Sequence, residues 1–361
     1  MPTAIVSGSG GLVGSEAVRA LIERGFDVLG VDNDSRATFF GSGASTAATT
    51  EWLRRTYAEF RSYDVDVRDA GAVETLFREH ARQLACVVHA AAQPSHEWAG
   101  TAPRVDFAVN AGGTLNMLEA ARKHAPDATF IFVSTNKVYG DRPNELPLVE
   151  DETRLDLPPT HRYYDGVDTQ MSIDASLHSL FGVSKTAADL LVQEYGRYFG
   201  MPTACFRCGC VTGPAHAGAA AHGFLSYLLR SAVSQTPYTI RGYGGKQVRD
   251  SIHAADLAEA FMRFVGVPRV AAVYNIGGGR SASCSVLEAI SMCEEIIGRP
   301  VETSVDPVAR IGDHRWWISD IGQFQADHDG WYPRYDIPSA LREMYEQNAE
   351  RWSREAGLAA R

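Results

Sequence analysis

The stretch "AIVSGSGGLVG" limits what this chain can become more than any other part of it. A β-branched apolar run stops at Ser7, and Gly8, Gly11 and Gly14 follow at intervals of three. "LVGSEAVRALIERG" then shows helical spacing, with Leu12, Ala17, Leu21 and Ile22 on one side and Gly25 as a stop signal. Between a strand and a helix, each glycine has a separate use. Gly8 permits a tight turn, Gly11 lets a pyrophosphate reach backbone N–H groups, and Gly14 lets helix and strand pack closely. The helix N-terminus adds the positive end of its dipole. Asp32 closes the next strand, "FDVLGVDN", where a carboxylate binds ribose hydroxyls. Strand, loop, helix and acid in this order specify a dinucleotide site. The carboxylate repels a 2′-phosphate and so favours NAD over NADP, a preference that nearby Arg36 softens.

The same alternation continues. "RSYDVDV", "LACVVHAAA" and "TFIFVST" read as strands, and "DAGAVETLFREHA" and "NAGGTLNMLEAARKHA" as helices. The strands are continuous apolar runs, which marks a parallel sheet covered on both faces. The expected fold is therefore α/β, a doubly wound parallel sheet. After Tyr139 the chain turns polar and proline-rich, and "GDRPNELPLVEDETRLDLPPTHRYYDGVDTQMS" reads as a long loop of the kind that forms lids. The helix "SKTAADLLVQEYGRYFG" and strand "TACFR" follow, and from Gly209 the alternation breaks down. The expected division is a cofactor domain over 1–207 plus about 251–277, and a smaller substrate-binding lobe over about 208–250 and 278–361. "FFGSGASTAATT" (39–50) reads as a low-complexity surface loop.

A net charge of −10 argues against wholesale binding to a nucleic-acid backbone. No apolar run approaches the ~20 residues of a membrane span. "MPTAIVSGSGG" enters a strand without a basic leader, and the expected location is the cytoplasm. Cysteines stand at 86, 205, 208, 210, 284 and 293. "CFRC" lacks a matching second pair, so buried thiols are expected rather than a metal site. Cys208 lies at a strand end, where it is able to face a ligand.

The glycine loop, "HAAAQ", "VNAGGTLNMLEAAR", "VSTNKVYGD", "SKTAAD", "GKQVRDSIHAADLAEA" and "DHRWWISDI" together resemble the extended short-chain dehydrogenase/reductase family, with its Rossmann sheet and C-terminal substrate-binding lobe. Within it the chain is similar to nucleotide-sugar epimerases and dehydratases, and "STNKVYGD" with "GKQVRD" resembles the CDP-paratose (CDP-tyvelose) 2-epimerase branch. The resemblance implies that Gly8, Gly11, Gly14, Asp32, Asn33 and Arg36 serve the adenosine half of NAD. It implies that Asp66 and Val67 flank adenine, and that Ala90, Ala91, Gln93 and Asn110 shape the nicotinamide side. Thr135 would hold the reacting sugar hydroxyl and Lys185 the nicotinamide ribose. Arg249 and Arg315 would bind the substrate diphosphate, a task suited to planar guanidinium groups. The family also often dimerises through the helix after "GVSK", whose apolar face is expected to include Ala188, Leu191 and Tyr195.

Two positions depart from the family. Where it carries a tyrosine four residues before the lysine, this chain has Phe181, a ring without a hydroxyl. The expected remedy is a relocated base: His178, or Tyr163, Tyr164 and Asp165 of the lid, or Asp174, or Lys185 itself. Asn136 and Lys137 follow Thr135 where family 4,6-dehydratases have an acidic pair; this fits epimerisation, with Lys137 polarising a carbonyl or moving a proton. Tyr164, Phe181 and Cys208 are expected around the sugar, Trp316 and Trp317 either against a nucleobase or in the core, and His216 and His222 at the cleft edge. The expected activity is transient oxidation and inversion of a nucleotide-activated hexose. A lyase using the same oxidation, for example a 5,6-dehydration of a nucleotide sugar or hexose nucleoside, and a non-catalytic NAD-binding scaffold are the alternatives.

Overall fold

A computed structural model describes residues 1–216, 223–309 and 312–358. Seven parallel strands form the central sheet: β1 (Thr3–Ser7), β2 (Asp27–Val31), β3 (Phe60–Tyr63), β4 (Leu84–His89), β5 (Thr129–Thr135), β6 (Thr203–Cys208) and β7 (Ala272–Ile276). Their order is β7-β6-β5-β4-β1-β2-β3. The direction of winding reverses between β1 and β4, and ligands of open α/β sheets bind outside the carboxyl ends of the strands at that point.

Successive strand residues point to opposite faces, and here both faces are apolar. Ala4, Val6, Cys86, Val88, Ile131 and Phe206 belong to one core; Ile5, Val87, Phe130, Phe132 and Cys205 belong to the other. Helix α1 (Leu12–Glu23) covers the first core with Ala17, Val18 and Leu21. Helices α2 (Gly113–His124) and α3 (Leu180–Phe199) cover the second with Met117, Leu118, Ala188 and Val192. Cys205 and Cys208 of "CFRC" thus fall into different cores on opposite faces of the sheet.

The first core also takes in Phe324 and Trp331, so a late segment of the chain returns to the main sheet. A third core, with Leu228, Leu229, Ile290, Leu341 and Trp352, builds the smaller lobe. Strand Val248–His253 joins the two regions. It pairs with Cys210–Thr212, Ser283–Ser285 and Trp316–Trp317.

Two local expectations change. The segment 39–50 is not a plain loop, because Ser35–Phe40 and Ala47–Thr56 are helical. The helix carrying Phe181 begins at Leu180 rather than Ser184, since the Ser179 hydroxyl caps it by accepting from Gly182 N at 3.1 Å.

Candidate functional site

The glycine loop is built for close approach. Gly8 has φ +69°, and a Cβ there would lie 2.8 Å from Ala91 N, so the loop passes directly over Ala90 and Ala91 at the end of β4. A Cβ on Gly14 would lie 2.0 Å from the Gly8 carbonyl oxygen. Gly11 is the N-cap of α1, no side chain caps that end, and its first turn carries no acid. An uncapped helix start with a glycine entrance fits an anionic pyrophosphate. Asp32 accepts from Gly10 N at 2.8 Å and from the Thr46 hydroxyl at 2.9 Å, which ties the ribose end of the site to the helical segment after it.

Further along the edge, Asn33 donates to Asp66 at 3.0 Å. The Arg68 guanidinium beside Asp66 holds that carboxyl below its usual range. Val67 is buried against Gly113 at the start of α2. Arg36 lies with its guanidinium over the Phe40 ring at 5.0 Å.

On the nicotinamide side the expected residues form a buried scaffold. Gln93 N donates to Asn110 Oδ1 at 3.0 Å, and the Gln93 amide reaches Asp106 at 2.7 Å and the Ser95 carbonyl at 2.9 Å. Asn110 lies in a π-helical turn, Ala108–Gly112, and also donates to Ser184 Oγ at 3.0 Å. Both polar side chains are therefore spent on holding the loop after β4 rather than exposed to a ligand.

The carboxyl end of β5 gathers the expected reactive groups. Lys185 Nζ donates to the Val133 carbonyl at 2.8 Å, two residues before Thr135, and lies over the Phe132 ring at 4.1 Å. Burial pushes its pKa down to about 8. Thr135 Oγ1 accepts from Lys137 N at 3.2 Å and starts the turn Asn136–Tyr139. Asn136 is buried. Lys137 is half-buried, and desolvation and neighbouring Arg249 bring it down to about 8. Cys208 pairs with Thr135 in the sheet register, but its thiol is buried and pushed up to about 12.

Arg249 is buried at the start of strand Val248–His253; it donates to the Val248 carbonyl at 2.7 Å and pairs with Asp313. Arg315 is held through its backbone, its N–H donating to Asn144 Oδ1 at 2.7 Å. Among the described residues its guanidinium has no hydrogen-bond partner. Asp250, beside Arg249, is fully buried, and burial lifts it to about 6. Sequence reasoning missed Asp313 and His314, although "DHRWW" contains both. His314 Nε2 lies 2.7 Å from the Gly140 carbonyl, and burial drives its pKa well down.

Several expectations need correction. His178 stands outside the helix, and both its ring nitrogens face backbone carbonyls: Nε2 that of Val138 at 2.7 Å, Nδ1 that of Ser176 at 3.1 Å. With each nitrogen set against a backbone carbonyl, neither has an open side for a substrate proton, so His178 is not placed as a base. Tyr163 is packed in the core beneath the lid, and Tyr164 lies under the Arg280 guanidinium at 3.6 Å. Asp165 and Asp174 are exposed. Trp316 and Trp317 are fully buried; Trp317 stacks on Tyr139 at 5.4 Å and Trp316 donates to Asp156, so neither ring serves a nucleobase. Ala188, Leu191 and Tyr195 face the chain's own core. His216 is buried, and His222 lies outside the described residues.

Comparison with known proteins agrees with this geometry. The profile of the NAD dependent epimerase/dehydratase family matches residues 4–277. CDP-paratose 2-epimerase of Salmonella typhi is 31% identical over 354 residues, 95% of this chain and 98% of that protein. A dTDP-glucose 4,6-dehydratase of Escherichia coli is 26% identical over 358 residues, 95% of this chain and 91% of its own. In fold, the chain matches the UDP-glucose 4-epimerase of Thermus thermophilus, solved with NAD, at a TM-score of 0.75 with 24% identity, covering 96% and 98% of the two chains. It matches the UDP-glucuronic acid 4-epimerase of Bacillus cereus at a TM-score of 0.75 with 22% identity, covering 97% and 99%. The glycine cradle, the lysine and threonine at β5 and the match across most of its length make this chain a member of the NAD dependent epimerase/dehydratase family.

Proposed function

We propose that the chain is an NAD-dependent epimerase of a nucleotide-activated hexose. The observation that carries this reading is Lys185 reaching the Val133 carbonyl two residues before Thr135 at the carboxyl end of β5, with Arg249 among the charges that face Lys137 in the turn that follows. Bound NAD supplies a hydride acceptor that returns the hydride after inversion. The residues that would hold it are Gly8, Gly11, Gly14 and Asp32 at one end and Lys185 at the other. Thr135 orients the sugar hydroxyl, and Arg249 and Arg315 neutralise the diphosphate. Lys137, whose pKa lies near neutrality, polarises the oxygen as it becomes a carbonyl. The 31% identity to a CDP-sugar 2-epimerase supports this reaction over elimination, as does the absence of an acidic pair after Thr135.

Purified protein incubated with CDP-, dTDP- and UDP-hexoses tests the proposal by NMR and mass spectrometry. A product of unchanged mass and inverted stereochemistry is expected. Loss of one water would identify the lyase suggested by the dTDP-glucose dehydratase relatives, and no turnover would leave a scaffold.

The six free thiols suit a reducing cytoplasm. Val183 and Leu190, seven residues apart on one side of α3, form an exposed apolar strip, with Leu115 exposed on α2. This strip, rather than Ala188, Leu191 and Tyr195, is the face through which a homodimer would form.

A further inference from the structure

Oxidation of a hydroxyl requires a group that takes its proton as hydride leaves and gives it back afterwards. Phe181 cannot do this, and several substitutes are spent elsewhere. Lys185 donates to Val133, His178 faces two carbonyls, and Cys208 is a buried thiol. Lys137 has Arg249, Asp313 and Cys210 as its electrostatic neighbours, and its part in the proposed reaction is to polarise the oxygen rather than to take the proton.

The titratable ring in contact with Phe181 is that of His96. The two ring centroids lie 4.9 Å apart at 62°. His96 Nδ1 lies 2.6 Å from Ser179 Oγ, and Ser179 is two residues before Phe181. Ser179 Oγ accepts from Gly182 N at 3.1 Å and keeps its one proton to donate, with Nδ1 within reach as the acceptor. The relay requires the tautomer with its hydrogen on Nε2, in which Nδ1 accepts from Ser179. The loop that presents His96 is held from beneath by Gln93, Asp106 and Asn110, and Ser95 caps the short helix that His96 begins. A serine hydroxyl aimed at an unprotonated imidazole nitrogen is the arrangement that activates a hydroxyl for proton exchange.

We propose that Ser179 and His96 form a proton relay standing in for the absent phenol, Ser179 Oγ taking the sugar hydroxyl proton as it passes its own to His96 Nδ1. The step balances. The C–H bond breaks and its electron pair leaves with hydride to oxidised NAD, the carbon–oxygen bond becomes a carbonyl, the sugar hydroxyl proton ends on Ser179 Oγ, and the proton Ser179 gave up makes His96 an imidazolium. Return of the hydride reverses each transfer. The proposal rests on the epimerase reading above.

Three variants and one spectrum test it. Wild type mixed with CDP-, dTDP- and UDP-hexoses should show transient NADH absorbance in a single turnover. His96→Gln should slow its appearance by about 100-fold or more, the range of general acid–base help. Ser179→Asn keeps a helix cap but removes the hydroxyl, and should do the same. Phe181→Tyr placed in the His96→Gln protein should restore much of the rate, an outcome that a structural role for His96 does not give. Independently of turnover, ¹⁵N NMR of NAD-free protein should show His96 with an unprotonated Nδ1. Wild-type rates in His96→Gln, or a protonated Nδ1, would overturn the relay alone. No NADH from wild type with any sugar nucleotide would overturn the epimerase reading and the relay with it.

Discussion

Asp189 and Arg207 face each other in the interior beneath the site, joined by two N–H···O bonds of 2.7 and 3.1 Å. Both are almost wholly buried. Asp189 also accepts from Ser134 at 2.5 Å and Gln193 at 2.7 Å, and Arg207 donates to the Tyr139 hydroxyl at 2.9 Å. The network thus ties α3, β5, β6 and the turn after Thr135 into one floor. Removing one partner leaves the other charge buried and alone, which costs about 3–5 kcal/mol. Asp189→Ala should lower the urea midpoint accordingly, and unchanged unfolding would show that the floor is not held by this pair.

The glycine loop makes a sharper prediction. In Gly14→Ala the new methyl would meet the Gly8 carbonyl oxygen at 2.0 Å, with no flexible side chain to move aside. NAD content measured after acid release should collapse. Gly100→Ala, where a Cβ has nothing within 4 Å, is the control and should retain its cofactor.

For the diphosphate, Arg249→Ala and Arg315→Ala should each weaken nucleotide-sugar binding roughly 10- to 100-fold, the scale of a charged hydrogen bond of about 1.5–3 kcal/mol. Arg249→Lys should not recover it, because a point charge cannot reproduce the planar fork. Calorimetric titration with UDP or CDP gives the answer without any turnover.

Acid should loosen the fold below about pH 6.5. Burial pushes His89 down to about 3 and His253 to about 4. Their unfolded pKa is near ~6.5, so the unfolded chain binds protons first. The stability that the neutral rings contribute is complete above that value. It decays as pH falls toward the folded values, by at most about 1.4 kcal/mol per pH unit and group. Melting temperatures from pH 7.5 to 5 should decline, and His253→Gln should flatten the decline. An equal slope in the variant would refute the assignment.

Leu190→Asp places a charge in the exposed strip of α3 and should shift sedimentation from dimer to monomer. Leu191→Asp, on the buried side, should instead destabilise the fold. If wild type sediments as a monomer, the strip has another use.

The sheet and the glycine loop were legible because period and glycine spacing are local signals. The resemblance also pointed to Lys185, whose ammonium reaches the end of β5 at Val133. His96 was not legible: "QPSHEWAG" has no periodicity, and its contact with Ser179 spans 83 positions. Trp316 and Trp317 stayed open between core and nucleobase for a related reason, since neighbouring residues cannot tell a buried indole from one lining a cleft. The helix Ala47–Thr56 was hidden by its Ala and Thr content, which reads as low complexity until Thr46 is seen bonded to Asp32 and Asp34.

Val167 is fastened on both sides. Its N–H donates to the Ile318 carbonyl at 2.7 Å, and its own carbonyl accepts from Asp320 N at 3.0 Å and from the Asn275 amide at 2.8 Å. Just before it, Gly166 has φ +145° and no room for a methyl against Ser319 and Asp320. The span from Tyr139 to Ser179 is therefore no free flap. It is pinned at its middle to Asn275, Ile318 and Asp320, so amides around Val167 should be among the slowest to exchange with deuterium.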